Sequence, residues 1–165
     1  IISSLVSGRN TRTTGHALLL SGSYVLGMAL TYAAAGVLTG LEWAAENAPG
    51  RPWVASFATD APFVPPDLVE RMSAAVEKEG GDMACASSAG RAHPVFGLWP
   101  GAKAADLRRA MEDEDMRKID RWTARYNLIE VDFPAEPFDP FFNINDTDNL
   151  AEAERLLADG ERGAA

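Results

Sequence analysis

The first part of the chain holds a loop of small, polar and basic residues directly after an apolar run. The run Ile1–Val6 contains the β-branched residues typical of a buried strand, and residues 7–16 read SGRNTRTTGH. In an α/β fold such a loop offers backbone N–H groups and a helix N-terminus to a phosphate, while Arg9 and Arg12 add positive charge. It is not a Walker loop, because no Gly-Lys-Ser/Thr motif follows. A surface turn with two solvated arginines would explain the same residues.

A carboxylate stands where a second predicted strand ends. Asp60 follows the continuous apolar run Trp53–Ala58, which is typical of a strand covered on both faces. Ligands of open α/β sheets bind at the carboxyl ends of the strands, and Mg²⁺ takes oxygen ligands. Asp60 is therefore a candidate magnesium ligand, and Pro62, two residues further on, would fix the turn that carries it. The Asp60 side chain could instead cap the turn itself.

Three further polar side chains are candidates for ligand binding. Asn143 and Asn145 flank one Ile after the aromatic run Phe138–Phe142, so both amides would lie on one side of a short extended piece. They could read a ligand or complete a metal shell, or they could simply form turns. His93 precedes a predicted strand and could bind a polar ligand or merely be exposed.

The elements that position these residues alternate between strands and helices. The predicted strands are Ile1–Val6, Trp53–Ala58, Met83–Ala86, Val95–Trp99 and Leu128–Phe133. The predicted helices are Gly36–Asn47, the stretch from Asp67 to Gly80, Ala102–Met111, Arg117–Tyr126 and Asn149–Leu157. This alternation predicts one three-layer α/β domain over residues 1–165 with a mostly parallel sheet, and residues 90–93 are predicted to form a polar turn. Cys85 and the four tryptophans, Trp43, Trp53, Trp99 and Trp122, are predicted to pack in the core.

Composition excludes several classes of protein. The chain has 165 residues with 15 Lys and Arg against 24 Asp and Glu, one Cys and two His. One cysteine permits no intrachain disulfide, and a zinc site of the Cys/His kind has too few ligands. The formal charge of −9 argues against binding nucleic acid by counterion release. The uncharged run Ala17–Leu41 is long enough to span a bilayer, but its many Gly, Ser and Thr residues favour buried helices over a membrane anchor.

In order along the chain, five segments resemble the molybdenum cofactor guanylyltransferases, the MobA family. They are Gly36–Leu41 (GVLTGL), Ala58–Pro65 (ATDAPFVP), His93–Pro100 (HPVFGLWP), Lys118–Trp122 (KIDRW) and Phe141–Asn145 (FFNIN). The resemblance implies a Rossmann-like nucleotidyltransferase that moves GMP from GTP to the terminal phosphate of molybdopterin, with Mg²⁺ and release of pyrophosphate. It also implies a cytoplasmic enzyme that has molybdoenzyme maturation proteins as partners and binds neither nucleic acid nor membrane.

The resemblance assigns roles to individual positions. The catalytic residues are Arg12 and Asp60, and the metal ligands are Asp60 and Asn145. The nucleotide-binding residues are Leu5, Val6, Ser7, Gly8, Arg12, His16 and Gly36. The molybdopterin side is formed by His93, Asn143 and Asn145. Two positions depart from the family pattern: Ser7 replaces a glycine, and His16 stands at the phosphate-binding lysine, where only a protonated imidazole partly replaces the lost charge.

The chain is short between Leu30 and Gly36, where the family has a further strand and a nucleotide-contacting Asn. Either this protein has lost a βα unit of roughly 30 residues, or the sequence omits part of the natural chain. We favour the second explanation, because losing a strand and its helix would expose apolar surface. Three alternatives stay open: a nucleotidyltransferase that uses CTP or a sugar phosphate, a catalytically weak GTP-binding member of the fold, and a membrane-attached protein.

Overall fold

The computed structural model describes residues 33–163. The predicted strand Ile1–Val6 and the predicted nucleotide loop lie outside the described residues, and so do Leu5, Val6, Ser7, Gly8, Arg12 and His16. Among the residues described, no helix is both long enough and apolar enough to cross a membrane.

Helices and strands follow one another in the expected order. Residues 33–47 are helical and are called α1. The elements that follow are β1 (Trp53–Ser56), α2 (Leu68–Glu79), β2 (Met83–Ser88), β3 (Arg91–Pro100), a 3₁₀ turn (Gly101–Lys103), α3 (Ala104–Glu112), α4 (Ile119–Thr123), β4 (Leu128–Asp132) and α5 (Thr147–Gly163). Helix α2 ends at Gly80 as predicted, because Gly80 adopts the left-handed conformation (φ 67°) that closes a helix.

Three of the four described strands run in one direction. The strand order is β1-β3-β2-β4, with β2 and β4 parallel and β3 antiparallel to both of its neighbours. The sheet is therefore mixed rather than wholly parallel. The cause is the two-residue turn Ala89–Gly90, in which both residues have positive φ (48° and 74°). Such a turn joins neighbouring strands as a hairpin, and a hairpin is antiparallel.

Strand β3 begins earlier than the sequence predicts, so the predicted polar turn at residues 90–93 is wrong beyond Gly90. Arg91 already pairs with Ser88, and His93 pairs with Ala86. The register then shifts, since the next pair is Cys85 with Gly97. Residues 94–96 are therefore extra on β3, which is where Pro94, lacking an N–H group, would interrupt the ladder. His93 lies in a strand immediately before this bulge, not in a turn.

Helices cover both faces of the sheet, which confirms the predicted three layers. Along β3, Trp99 faces one layer and Leu98 the other, because successive side chains of a strand point to opposite faces. Helices α1, α3 and α4 cover the first face, with a core that includes Val37, Leu41, Met83, Trp99, Leu107 and Trp122. Helix α2 covers the second, with a core that includes Leu68, Met72, Val76, Phe96, Leu98 and Ile129.

The core prediction is correct for most of the singled-out side chains and wrong for Trp43. Trp99 and Trp122 are fully buried, whereas the Trp43 side chain is 62% exposed. Two residues beyond the buried Leu41, Trp43 points away from the core, since one residue advances a helix by about 100°. Cys85 is buried as predicted, and burial, followed by the neighbouring Glu130, raises the pKa of its thiol to about 12.

Candidate active site

Three parallel strands deliver polar residues to one edge of the sheet. Strands β1, β2 and β4 all end at this edge, and β3, which runs the other way, begins there. The edge therefore collects Asp60 after β1, Ser88 at the end of β2, His93 near the start of β3 and the loop that follows β4. Carboxyl ends of strands are where open α/β sheets bind ligands.

Two independent contacts tie the Asp60 loop to the loop that follows β4. The backbone N–H of Ile144 donates a hydrogen bond to the carbonyl oxygen of Asp60 (2.8 Å). The ring of Phe63 packs against Phe138 and Phe142, with centroids 4.7 and 6.4 Å apart. Because Ile144 lies between Asn143 and Asn145, the hydrogen bond brings both asparagines next to Asp60.

The carboxylate of Asp60 is not used to cap its own turn. Within the described chain, only the backbone carbonyl of Asp60 takes part in a hydrogen bond, and the side chain is neither bonded nor ion-paired. The structure therefore does not support the alternative interpretation that the Asp60 side chain caps its own turn. A half-buried carboxylate that has no partner among the described residues is available to a ligand.

The side-chain amides of Asn143 and Asn145 are likewise not used to form the turn. Asp146 Oδ1 accepts from the N–H of Asn149 (2.8 Å), and Asn149 Oδ1 accepts from the N–H of Asn145 (3.1 Å). These reciprocal bonds cap the N-terminus of α5. The side-chain amides of Asn143 and Asn145 themselves take part in no hydrogen bond among the described residues. Both are therefore available at the edge beside Asp60.

The donor set beside Asp60 suits a magnesium ion. Among residues 33–158, no group of three or more His, Cys, Asp or Glu side chains could hold a metal by itself. Asp60 with the amide oxygen of Asn145 offers one carboxylate and one neutral oxygen. Mg²⁺ accepts such a sparse set, since it usually keeps several waters and takes further oxygens from substrate phosphates.

His93 belongs to a chain of hydrogen-bonded side chains, buried at Ser88, that its residue types do not predict. Ser88 is 1% exposed, and its hydroxyl lies 2.8 Å from His93 Nε2 and donates to Asp139 Oδ1 at 2.9 Å. The same Asp139 oxygen accepts from the N–H of Phe141 (2.9 Å). The one available signal was a pair of serines at the end of a buried strand, which does not distinguish Ser88 from Ser87.

The surroundings of His93 favour the neutral ring. Burial is the main cause that lowers the pKa of His93 from its ordinary value of 6.5, Asp139 opposes it, and the charge of Arg91 lowers the pKa further. The ring packs against Phe141, with centroids 4.8 Å apart, and edge-on against Phe96 at 6.3 Å. His93 is therefore held on several sides while it remains half-buried.

Gly36 is the one predicted nucleotide-binding residue that the structure describes. It lies on the exposed side of α1, and a Cβ atom added there would meet no atom of residues 33–163 within 4 Å. Neither strain nor close packing by the described residues requires glycine at this position, so its role in binding a nucleotide stays a prediction.

This architecture defines the class of protein. A sheet between two helical layers, with polar loops at the carboxyl ends of its strands, is the plan of nucleotide-binding α/β domains. The chain belongs to the family described as the MobA-like NTP transferase domain, whose model matches residues 5–127. The family resemblance drawn from the sequence is thereby confirmed.

Individual relatives are named for one activity. The molybdenum cofactor guanylyltransferase of Nitrobacter hamburgensis is 51% identical over 124 residues, which are 75% of this chain and 59% of that protein. The same-named protein of Rhodopseudomonas palustris (strain HaA2) is 52% identical over 74% of this chain and 57% of its own length. The chain thus spans about three fifths of the length of these relatives.

Solved structures agree with the fold. Molybdopterin-guanine dinucleotide biosynthesis protein A from Archaeoglobus fulgidus is 27% identical, with a TM-score of 0.57 over 76% of this chain and 63% of that one. A protein from Aquifex aeolicus VF5 has a TM-score of 0.52 at 17% identity over 69% of this chain and 56% of its own, a likeness that concerns the fold alone.

Proposed function

We propose that this protein transfers GMP from GTP to molybdopterin and releases pyrophosphate. The observation that carries the proposal is the tie between the Asp60 loop and the loop of Asn143 and Asn145 at the carboxyl edge of the sheet. The relatives that are about half identical to this chain, and are named for this reaction, support the same conclusion.

In this proposal Asp60 and Asn145 hold a magnesium ion. Both offer side-chain oxygen atoms that no described residue engages, and they suit a cation that also binds phosphate oxygens. Bound there, Mg²⁺ would offset negative charge on the phosphates of GTP. Asp60 is the only carboxylate in this pair, so its charge is the main contribution of the protein.

The transfer of GMP itself needs anion binding rather than acid–base chemistry. An oxygen of the molybdopterin phosphate forms a bond to the α-phosphorus of GTP, and the bond from that phosphorus to the bridging β-oxygen breaks. No general base is required, since the attacking phosphate is already ionised. The loop of Leu5, Val6, Ser7 and Gly8 would hold the triphosphate through its backbone, as would Gly36. Arg12 and His16 would stabilise the departing pyrophosphate.

The second substrate is proposed to lie beside His93, Asn143 and Asn145. These residues lie close together at the sheet edge, because Phe141 contacts His93 in β3 and Ile144 bonds to Asp60. We further propose a cytoplasmic reaction, where GTP is available, and molybdoenzyme maturation proteins as recipients of the product.

A segment of the family domain is proposed to be absent between Leu30 and Gly36. The limited share of the relatives' length that this chain spans supports this. Sequencing the coding region across these positions tests it. An uninterrupted match to the present chain would contradict the proposal that the sequence omits a βα unit.

The decisive experiment removes the charge of Asp60 without changing its shape. Asp60→Asn should abolish nearly all pyrophosphate release from GTP and molybdopterin, while circular dichroism stays unchanged. Asp67→Asn is the matched control, because Asp67 is exposed and makes no side-chain capping bond to α2. Near-native turnover of Asp60→Asn at saturating Mg²⁺ would contradict the metal assignment.

The same assay separates the rival functions. Turnover with CTP or a sugar phosphate in place of the proposed substrates would indicate a different nucleotidyltransferase. Binding of GTP without any pyrophosphate release would indicate a binding module of the same fold.

A further inference from the structure

The chain of hydrogen bonds from Asp139 through Ser88 to His93 joins three separate parts of the fold. Ser88 ends β2, His93 lies in β3, and Asp139 stands in the loop after β4. Residues 88 and 139 are 51 positions apart, so this contact exists only in the folded protein. Ser88, the middle residue, is almost completely buried, so its hydroxyl needs hydrogen-bond partners within the protein.

Only one arrangement of hydrogens satisfies this chain. A carboxylate can accept but cannot donate, so the single hydrogen of the Ser88 hydroxyl points to Asp139. The Ser88 oxygen must then accept from His93, which requires a hydrogen on Nε2. In the neutral ring, Nδ1 therefore carries the lone pair.

The other ring nitrogen of His93 is available to a ligand. Nδ1 has no hydrogen-bond partner within the described chain. Buried side-chain nitrogen and oxygen atoms there all have partners, so Nδ1 reaches solvent. The packing of Phe141 and Phe96 on the ring limits its rotation.

This arrangement of Ser, His and Asp is not that of a nucleophilic triad. In such a triad the carboxylate orients the imidazole, and the imidazole takes a proton from an exposed serine. Here the carboxylate bonds the serine, and the serine is 1% exposed. Ser88 cannot reach a substrate. Of the three hydrogen-bonded residues, His93 is the one that can.

We infer that Asp139 and Ser88 are positioning residues that hold His93 as the Nε2–H tautomer, so that Nδ1 accepts a hydrogen bond from an N–H or O–H group of the second substrate. This rests on the proposed function for placing that substrate beside His93. An acceptor nitrogen suits a heterocycle with ring N–H groups, as in a pterin, and not a phosphate without hydrogens.

The charges around His93 agree with a neutral ring. Within the described residues, Asp139 from the loop after β4 and Arg91 from the same strand act on it in opposite directions. Burial lowers the pKa of His93 and outweighs the effect of Asp139. At neutral pH the ring is thus an acceptor at Nδ1, whereas a protonated ring would donate there.

The tautomer can be read directly by NMR. The chain has two histidines, His16 and His93, so long-range ¹H–¹⁵N spectra of the full chain contain two ring systems, and His93→Gln assigns them. At neutral pH we expect His93 to carry its hydrogen on Nε2, protected from exchange with water. A hydrogen on Nδ1 of His93 would overturn the inference, whatever the behaviour of any variant.

Two neighbouring serines provide a matched pair of variants. Ser88→Ala should expose the Nε2–H to exchange, whereas Ser87→Ala should not, because Ser87 has only a 3.5 Å contact with Asp132. Ser88→Thr keeps the hydroxyl and should restore the protected signal. Equal spectra for the two alanine variants would overturn the positioning role of Ser88.

Ligand binding tests the acceptor role. Addition of 6-hydroxymethylpterin should shift the Nδ1 resonance of His93, whereas inorganic phosphate should not. Loss of an oriented hydrogen bond in Ser88→Ala should weaken pterin binding about tenfold, with no change in Ser87→Ala. Normal pyrophosphate release together with a pterin-insensitive His93 would overturn the inference. Absence of pyrophosphate release with an intact pterin response would instead overturn the proposed function and leave the inference standing.

Discussion

Replacing Gly97 by alanine is expected to destabilise the domain, because the Trp99 indole occupies the space that a Cβ would need. A Cβ built on Gly97 would meet three indole atoms, the farthest of them at 2.7 Å. The backbone cannot move away, since Gly97 pairs with Ser56 on one side and Cys85 on the other. The indole, which is fully buried, must therefore be displaced.

The size of the effect follows from two losses. Overpacking of a filled core costs about 1–3 kcal/mol. Displacing the ring also breaks the hydrogen bond from Trp99 Nε1 to Ser56 Oγ (2.8 Å), worth about 0.5–1.5 kcal/mol. The free energy of unfolding should fall by about 1.5–4.5 kcal/mol in total. With a urea m-value of roughly 2 kcal/mol/M, the midpoint should fall by about 0.8–2.2 M.

The assay is urea unfolding followed by tryptophan fluorescence, with Gly36→Ala as the matched control. Gly36 is exposed in α1 with no described atom near its Cβ position, so alanine there should raise stability by about 0.5–1 kcal/mol. A Gly97→Ala midpoint within about 0.3 M of the wild type would refute the reasoning. It would mean that the indole moves at almost no cost.

Two further predictions concern titratable groups. Because burial raises the pKa of Cys85 to about 12, iodoacetamide at mildly alkaline pH should leave the native thiol unmodified and alkylate it only after urea unfolding; rapid alkylation of the native protein would contradict its placement. Hydrogen bonds from Tyr126 and Trp122 lower the pKa of the Asp106 carboxyl from its ordinary value of 3.8. The ionised Asp106 therefore stabilises the folded protein at pH values above 3.8, and this stabilisation is lost as the pH falls through the folded-state pKa. Asp106→Asn should therefore lose less stability than the wild type between about pH 5 and pH 2.5, and parallel acid unfolding curves would argue against this role of Asp106.

Local patterns and strand ends were sufficient to predict most of the framework. Gly80 marks the end of α2 because it takes the left-handed conformation. Asp60 and the pair Asn143 and Asn145 follow strands of one direction, so their meeting at one edge follows from the topology. The direction of β3 was not predictable by apolar periodicity, because the period is the same whichever way a strand runs.

Contacts between distant parts of the chain account for what sequence reasoning missed. Ser87 and Ser88 are adjacent and chemically identical, yet only Ser88 joins His93 to Asp139. Which serine faces the site depends on strand register, and one residue of register exchanges the two faces. The core prediction for Trp43 was wrong for a related reason. It rested on the apolar character of the residue, which says nothing about the side of α1 on which the residue lies.

The aromatic run before the two asparagines explains how one short loop serves both halves of the site. Phe138 and Phe142 contact Phe63 in the Asp60 loop, at 4.7 and 6.4 Å between centroids. Phe141 instead packs on His93 at 4.8 Å. The proposed metal ligands and the proposed substrate-binding histidine are therefore anchored by different rings of the same segment. Since His93 is also tied to Asp139 of that segment through Ser88, the loop after β4 holds both halves of the site in place.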